Sequence, residues 1–225
     1  MDDTFKQITA IVKETIIPVI GESARIAPDA LLYGTGILSF LTQSYPLAVL
    51  LLAILEITLG FRIINTIIKA IRPDLVATIP SCRQGFPETG SLAALAGATV
   101  FGAGGAASVP HFTVSLLTGI AVYLIVSMWS KIDTLSALGE SWEARIPTSL
   151  SLTIVILSTF IFGLFTYGCL TMGNLLLSLG SGAILGGLSF LLHDTIFTPD
   201  ATNFHGLPLL LNKFSAGEPV YVCSK

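Results

Sequence analysis

The feature that most constrains the fold is an apolar run from Leu47 to Ile68. A membrane-spanning helix takes about 20 predominantly apolar residues, and this run is long enough to be one. The composition of the whole chain agrees, because 52% of its residues are hydrophobic and only 11% are charged, whereas soluble domains are about 25% charged. We therefore predict an all-α fold, a polytopic helical bundle in a membrane.

Five other apolar stretches accompany this run, and together they predict about six transmembrane helices in three hairpins. Residues 91–107 are rich in alanine and glycine, which let helices approach closely, so we expect a central span there. The glycines between Gly180 and Gly187 are expected to serve helix packing too, because they lie inside an apolar stretch and not between a strand and a helix. The five stretches are residues 30–43, 91–107, 112–129, 148–165 and 170–192.

Both ends of the chain are expected to lie outside the spans. Residues 4–20 place most of their apolar side chains near one helical face, which is typical of an amphipathic helix at a membrane surface. Pro18, Gly21 and Pro28 are expected to break the chain before the first span begins. The resulting division is 1–29, an N-terminal interfacial segment; 30–192, the transmembrane domain; and 193–225, an extended tail that docks on this protein or on a partner.

Net charge and cysteine count exclude several classes of function. The formal net charge is -3 and the isoelectric point is about 5.5, so the chain lacks the basic field with which proteins bind nucleic acid. Cys82, Cys169 and Cys223 are odd in number and far apart, which suggests neither a disulfide framework nor a metal site. We expect idle thiols, no metal and no cofactor.

An even number of spans would gather the polar segments on one side of the membrane. Six spans would place both termini, the loop 69–90 and the loop 130–147 together, along with all eleven lysine and arginine residues. Only tight turns near Ser44, Val109 and Tyr167 would remain on the other side. By the positive-inside rule, we expect the termini and the polar loops to be cytoplasmic.

Three polar residues interrupt the second apolar run. Glu56 lies near its middle, and Arg62 and Asn65 lie toward its far end. Ionisable groups at membrane depth are costly and usually face the interior of the protein. Two interpretations of Glu56 stay open, a structural ion pair or hydrogen bond and a functional site.

Polar residues at the ends of three spans follow a pattern that is known from an enzyme family. They are Asn65, Lys69, Arg72 and Pro73, then Gly85 to Ser91, and later Ser130 and Lys131. This arrangement resembles the type 2 phosphatidic acid phosphatase superfamily. That family has a Lys/Arg-Pro motif, a Pro-Ser-Gly-His motif and a Ser-Arg motif on one face of six spans. The resemblance covers roughly residues 47–192.

Two positions depart from the family pattern at the catalytic residues. Gly90 and Glu140 stand where the family has its two histidines. Glycine carries no nucleophile and a carboxylate repels a phosphate, so the resemblance implies a pseudoenzyme with no catalytic residues. The cations left to bind a lipid phosphate or a partner are Lys69, Arg72, Arg83 and Lys131. The same cations also fit ordinary positive-inside flanking of membrane helices.

Three functional hypotheses follow. The first is a non-catalytic structural protein that anchors a larger assembly to membrane lipids, with protein partners on the charged face and the C-terminal tail. It is similar to eroded lipid-phosphatase-like proteins at the internal membranes of large DNA viruses, where the role would be that of a minor capsid protein of the virion. The second is a lipid-phosphate phosphatase with a displaced active site at Ser81 or Cys82. The third is a small transporter or channel in which Glu56 is the coupling residue.

The histidines match no motif and are expected to be structural or solvent-facing; they are His111, His193 and His205.

Overall fold

The regular elements are all helical in the part of the chain that the computed structural model describes, which is residues 7, 10–71, 95–96, 109–133, 145–166, 168–198 and 201–204. This confirms the predicted all-α class. A π-helical turn, Val12–Ile16, leads into the first of five α-helices. The helices are α1 (Ile17–Thr42), α2 (Tyr45–Ile71), α3 (Phe112–Ser130), α4 (Arg145–Thr166) and α5 (Met172–Ile196).

Four of these helices are long and apolar enough to cross a bilayer. They are α2, α3, α4 from Ile146 onward, and α5, and their mean hydropathies lie between 1.9 and 2.3. In α1 only the second part, Ile26–Thr42, is comparably apolar, and it is shorter than a typical span. By length and composition the chain is therefore a helical membrane protein.

Helix α1 runs through the prolines that were expected to break it, so that prediction is wrong. Pro18 lies in the first turn, where the missing N–H has no acceptor within the helix in any case. Pro28 lies inside α1 and is buried against the bundle. Packing against neighbouring helices compensates for the one hydrogen bond that such a proline removes.

The last helix is also longer than predicted. The sequence places the end of the sixth span at Leu192 and begins the tail at His193, but α5 continues to Ile196. The backbone N–H of Phe197 still donates to the carbonyl of His193, at 2.9 Å. His193 therefore belongs to the final turn of α5. The predicted extended pieces of the tail, 207–211 and 220–222, lie outside the described residues.

Helix α2 runs antiparallel to α3 and α5. The ring of Tyr45, at the start of α2, contacts that of Phe197 just after α5, and Phe61, further along α2, contacts Phe112 at the start of α3. Helices α3 and α5 are parallel to each other. We call the end of the bundle that holds the C-terminal ends of α3 and α5 the Lys131 end, and the opposite end the Cys169 end.

This arrangement corrects the predicted gathering of all cations on one side. Ile71 and Phe112 both lie at the Cys169 end, whereas a single span between them would place them at opposite ends. The sequence pattern identified the apolar runs but not which helices pack against each other. That packing decides the end of the bundle at which each helix begins. Of the expected central span, 91–107, only Leu95 and Ala96 are described, and Ala96 is fully buried in the core.

Two apolar clusters hold the helices together. The larger one joins α2, α3 and α5 through residues such as Ile54, Phe61 and Leu116. The smaller one lies toward the Cys169 end and includes Ala24 from α1 and Leu164 from α4. Helix α3 contributes to both clusters and is the most buried of the four candidate spans, so its polar side chains must find partners inside the protein.

Candidate functional site

Three polar side chains from three helices meet inside the larger cluster. Nε2 of His193 on α5 lies 3.1 Å from Oε2 of Glu56 on α2. On the other side of the ring, Nδ1 of His193 lies 3.0 Å from the hydroxyl oxygen of Tyr123 on α3. We call Glu56, Tyr123 and His193 the carboxylate cluster.

Aromatic packing fixes the imidazole of His193 in place. The ring of Tyr123 meets it edge to face at a centroid distance of 5.6 Å, and Phe197 does the same at 5.4 Å. Phe190, one turn earlier on α5, packs against Tyr123. The side chains of His193 and Tyr123 are almost completely buried, so the imidazole can exchange protons only with groups that the fold places beside it.

The geometry at Nε2 favours one tautomer of His193. When the proton is on Nε2, an N–H donor faces the carboxylate of Glu56, and Nδ1 can accept a hydrogen bond from the Tyr123 hydroxyl. The two atoms Nε2 and Oε2 are within ion-pair distance, but neither has a well-directed hydrogen bond.

A second set of polar contacts continues from the carboxylate cluster toward the Lys131 end. Nζ of Lys131 lies 3.2 Å from Oδ1 of Asp194, which also accepts from the hydroxyl of Thr202 at 3.4 Å. The hydroxyl of Ser127 donates to the backbone carbonyl of Thr202. These contacts fold residues 201–204 back against α3 and bring an exposed acidic group next to the buried histidine.

Glycines bring α3 and α5 into backbone contact at mid-length. A Cβ added to Gly186 would lie only 2.8 Å from Cα of Gly119, and one on Gly182 would lie 2.9 Å from Cβ of Thr118. Real side chains essentially never come so close, so only glycine fits at these positions. The predicted packing role of the glycines between Gly180 and Gly187 agrees with this contact, although Gly180 and Gly187 themselves face open space.

Beyond the glycine contact, the same two helices carry a cluster of hydroxyl groups. The backbone N–H of His111 donates to Oγ of Ser178 at 2.7 Å, and Oγ of Ser115 lies 3.0 Å from Oγ of Ser181. The hydroxyl of Ser178 in turn donates to the carbonyl of Asn174 at 2.6 Å. We call His111, Ser115, Ser178 and Ser181 the serine cluster.

His111 is a buried ionisable residue at the Cys169 end. It lies just before α3, its side chain is 1% exposed, and neither ring nitrogen has a hydrogen bond to the described residues. Burial lowers the pKa of His111 to about 4, because a charged imidazole loses its hydration there. The ring is therefore neutral at physiological pH.

The predicted binding cations do not come together. Lys69 is near the end of α2, at the Cys169 end, while Lys131 follows α3 at the other end. Phe61 contacts the start of α3, and the 19 residues of α3 span about 28 Å. Arg72 and Arg83 lie outside the described residues.

The predicted intramembrane polar residues have different environments. Glu56 belongs to the carboxylate cluster. This position is compatible with both interpretations of the residue, a structural contact and a functional site. Asn65 is buried on the core side of α2, whereas Arg62 is exposed on the surface of the helix. Only Glu56 of the three is thus placed beside another ionisable group whose contact is defined.

The sequence did not identify the partners of Glu56. His193 was expected to be structural or solvent-facing, and Tyr123 was not singled out. The three residues of the carboxylate cluster are separated by 67 and 70 positions, so no local motif links them. Their common signal is a polar residue inside or at the edge of an apolar run.

One expectation about cysteine is wrong. Cys169, in the turn between α4 and α5, is disulfide-bonded and not an idle thiol. It is buried next to Leu170 and Leu164 in the smaller apolar cluster. The sequence has two other cysteines, Cys82 and Cys223, and both lie outside the described residues. An odd number of cysteines still allows one disulfide, and the sequence prediction did not include this possibility.

Fold and site together define the class, a helical membrane protein with an ionisable cluster between its spans, in which His193 is buried and the Glu56 side chain is 27% exposed. Beyond this class the comparisons add nothing, since no protein-family model, no curated protein and no solved structure matches the chain. Function is therefore argued from the geometry of the two clusters.

Proposed function

We propose that this chain is a small proton-coupled transporter or proton channel, with the carboxylate cluster as its proton-binding site. The observation that carries the proposal is the position of Glu56 beside His193 in the core of the spans. Ionisable residues inside a membrane typically mark ion pathways and proton relays. This is the role that the third sequence hypothesis gave to Glu56.

The depth of Glu56 supports this role. It lies 11 residues after the start of α2 at Tyr45, which corresponds to about 16 Å along the helix. That is roughly half of the 30 Å hydrocarbon thickness. A carboxyl group at this depth exchanges protons with water only through a pathway inside the protein.

The carboxylate cluster can exist in charge states that differ by one proton. With Glu56 ionised and His193 neutral, it carries one negative charge, which costs roughly 3 kcal/mol or more at membrane depth. One added proton, on the carboxyl or on the ring, makes the pair neutral overall. Binding and release of this proton change the electrostatic free energy of the spans, and that change is what couples a proton to transport.

Proton flux through reconstituted vesicles tests the proposal. We expect an imposed pH gradient to dissipate faster in vesicles with the protein, with a potassium ionophore to balance charge, and expect Glu56→Gln to abolish this flux because the amide binds no proton. Glu14→Gln, which removes an exposed carboxyl before α1, is the matched control. Equal flux in wild type and Glu56→Gln, or no flux in the wild type, would overturn the proposal.

Anchoring of a larger assembly is a second candidate, favoured by the docked start of the C-terminal tail. Contacts of Ser127 and Asp194 with Thr202 attach residues 201–204 to the bundle, which gives the remaining tail a fixed origin at the Lys131 end. Deleting residues 205–225 should release the protein from a large complex in its native membrane. An unchanged complex would contradict the anchoring role. The separation of Lys69 from Lys131 argues against one phosphate site that holds both cations. The phosphatase alternative stays a prediction, because its candidate nucleophiles Ser81 and Cys82 lie outside the described residues.

The disulfide of Cys169 supports an orientation in the membrane. Disulfides persist in oxidising compartments and are rare in the cytosol, so we propose that the Cys169 end faces away from the cytoplasm. Lysines lie at both ends, Lys69 at one and Lys131 at the other, and do not decide the orientation. An impermeant thiol reagent applied to intact membranes after mild reduction should label Cys169, and labelling only after permeabilisation would reverse the orientation.

A further inference from the structure

The seam between α3 and α5 carries polar groups along the whole length of the bundle. From His111 to Lys131, the two residues that flank α3, the chain advances 20 positions or about 30 Å, which is the thickness of the hydrocarbon core. The serine cluster occupies the half toward the Cys169 end, and the carboxylate cluster with the Lys131 and Asp194 pair occupies the other half. Ser115 and Ser178 are fully buried.

The glycine contact lies between the two polar halves of the seam. Thr118, with a buried hydroxyl, and Tyr123 stand on either side of Gly119, five residues or about 8 Å apart along α3. Within this interval the backbones of Gly119 and Gly186 touch, which leaves no space for a water molecule between them. No side chain lies in the contact to carry a proton across it.

We propose that the α3–α5 seam is the proton path between the carboxylate cluster and the Cys169 end, with the serine cluster as its relay and the Gly119–Gly186 contact as its gate. The proposal rests on the proton-coupled function and adds the route and the gate. In the closed state the gate separates the two clusters. In the open state the helices move apart by about the diameter of a water molecule, roughly 3 Å, and water bridges Thr118 and Tyr123.

The chemistry of the relay is proton hopping between hydroxyl groups. The hydroxyl of Ser181 donates to the backbone carbonyl of Ser178 at 3.1 Å, so Ser115 is the donor in its contact with Ser181. To pass a proton on, the Ser181 hydroxyl turns from that carbonyl to a water molecule, and it then accepts the proton of Ser115. Each hop breaks one O–H bond and forms one, and no net charge is left on the serine cluster. The proton ends on the carboxylate of Glu56 directly or by way of His193.

His111 supplies the second observation that points to a ligand on this path. Its side chain is buried and its two ring nitrogens have no hydrogen bond to the described residues. A purely structural histidine in an apolar environment would satisfy at least one of them. Water or a hydrated proton that enters from the Cys169 end would supply the missing partner.

Removal of the relay hydroxyls tests the route. The double variant Ser115→Ala and Ser181→Ala loses both hydroxyls of the central contact but keeps its helical propensity, and we expect proton flux to fall at least about tenfold. Ser158→Ala, an exposed serine on α4, is the control. The size-exclusion elution and the helical circular dichroism of the double variant should equal those of the wild type. The smaller alanine side chains should not disturb the packing of Gly182.

The outcomes separate this inference from the function on which it rests. Flux that is lost in Glu56→Gln but unchanged in the serine double variant would overturn the route and leave the proton-coupled function standing. Flux that is absent in the wild type would overturn both. The expected result is flux that is reduced in the serine double variant and abolished in Glu56→Gln.

Discussion

The two halves of the α3–α5 seam place polar groups in the same helix pair but stabilise them in different ways. In the serine half, hydroxyl groups bond to each other and to backbone carbonyls of their own helices, as Ser178 does with Asn174. In the carboxylate half, the histidine reaches a second helix for the Tyr123 hydroxyl and a third for the Glu56 carboxyl. The difference shows that a serine hydroxyl can be satisfied by a carbonyl of its own helix, whereas the contacts of the His193 ring come from two other helices.

The contrast extends to what holds the helices together. Between the halves, α3 and α5 touch through glycine backbones, and contact of this kind depends on shape alone. On the carboxylate side, helix α2 joins the pair and brings the Glu56 carboxyl into contact with His193. We expect variants in the two halves to differ most where a charge is left without its partner.

The largest effect is expected from His193→Ala. This change leaves the Glu56 carboxyl without its partner and removes the acceptor of the Tyr123 hydroxyl. Breaking a buried pair from one side typically costs 3–5 kcal/mol. Because the Glu56 side chain is 27% exposed, we expect a loss at the lower end of that range, about 3–4 kcal/mol, in the free energy of unfolding. Unfolding in detergent, monitored by circular dichroism, measures it.

Two controls sharpen this prediction. Leu192→Ala changes the neighbouring residue, which is exposed at the surface of α5, and should cost little. Ser178→Ala in the serine half should cost about 1 kcal/mol, the value of one net hydrogen bond. Equal losses for His193→Ala and Ser178→Ala would remove the distinction between the halves.

A slightly smaller effect is expected from lowering the pH, and it acts on the serine half. The pKa of His111 is about 4 in the folded protein and about 6.5 in the unfolded chain. The unfolded state therefore takes up the proton first, and the free energy of unfolding falls as the pH drops from 6.5 toward 4, by up to roughly 3 kcal/mol. Above pH 6.5 His111 contributes no pH dependence.

The variant His111→Asn isolates this contribution, since it keeps the backbone donor to Ser178 and removes the imidazole. The difference between its unfolding free energy and that of the wild type should change between pH 7 and pH 4 and be constant above pH 7. A difference that stays constant across the whole range would show that the pKa of His111 is the same in the folded and unfolded states.

The glycine contact should come next in size. Gly186→Ala places a Cβ against the backbone of Gly119, which cannot move aside as a side chain would. Overpacking of this kind costs about 1–3 kcal/mol. Gly187→Ala is the matched control, because nothing lies within 4 Å of an added Cβ there, and alanine should stabilise the helix slightly. Similar stability of the two variants would mean that α3 and α5 are not in backbone contact.

The comparison of the halves also explains what the sequence could and could not predict. The apolar runs and the composition were sufficient for the helices and the membrane class, because both depend on local hydrophobicity. The direction of α2 relative to α3 was not predictable, since a run of small residues between them fits a span and a non-crossing segment equally well. Glu56 was identified because a lone carboxyl in an apolar run is conspicuous. His193 was missed because it lies at the edge of its run, and its partners are set by tertiary packing.

The smallest effect is expected at the Lys131 end of the carboxylate half, from Asp194→Asn. The side chain of Asp194 is 37% exposed and its pair with Lys131 is reached by water, so the loss should stay below about 1 kcal/mol. Salt should weaken the difference between wild type and variant, because exposed ion pairs are screened. A loss as large as that of His193→Ala would mean instead that Asp194 belongs electrostatically to the buried cluster, and the boundary between the cluster and the aqueous phase would then lie beyond Lys131.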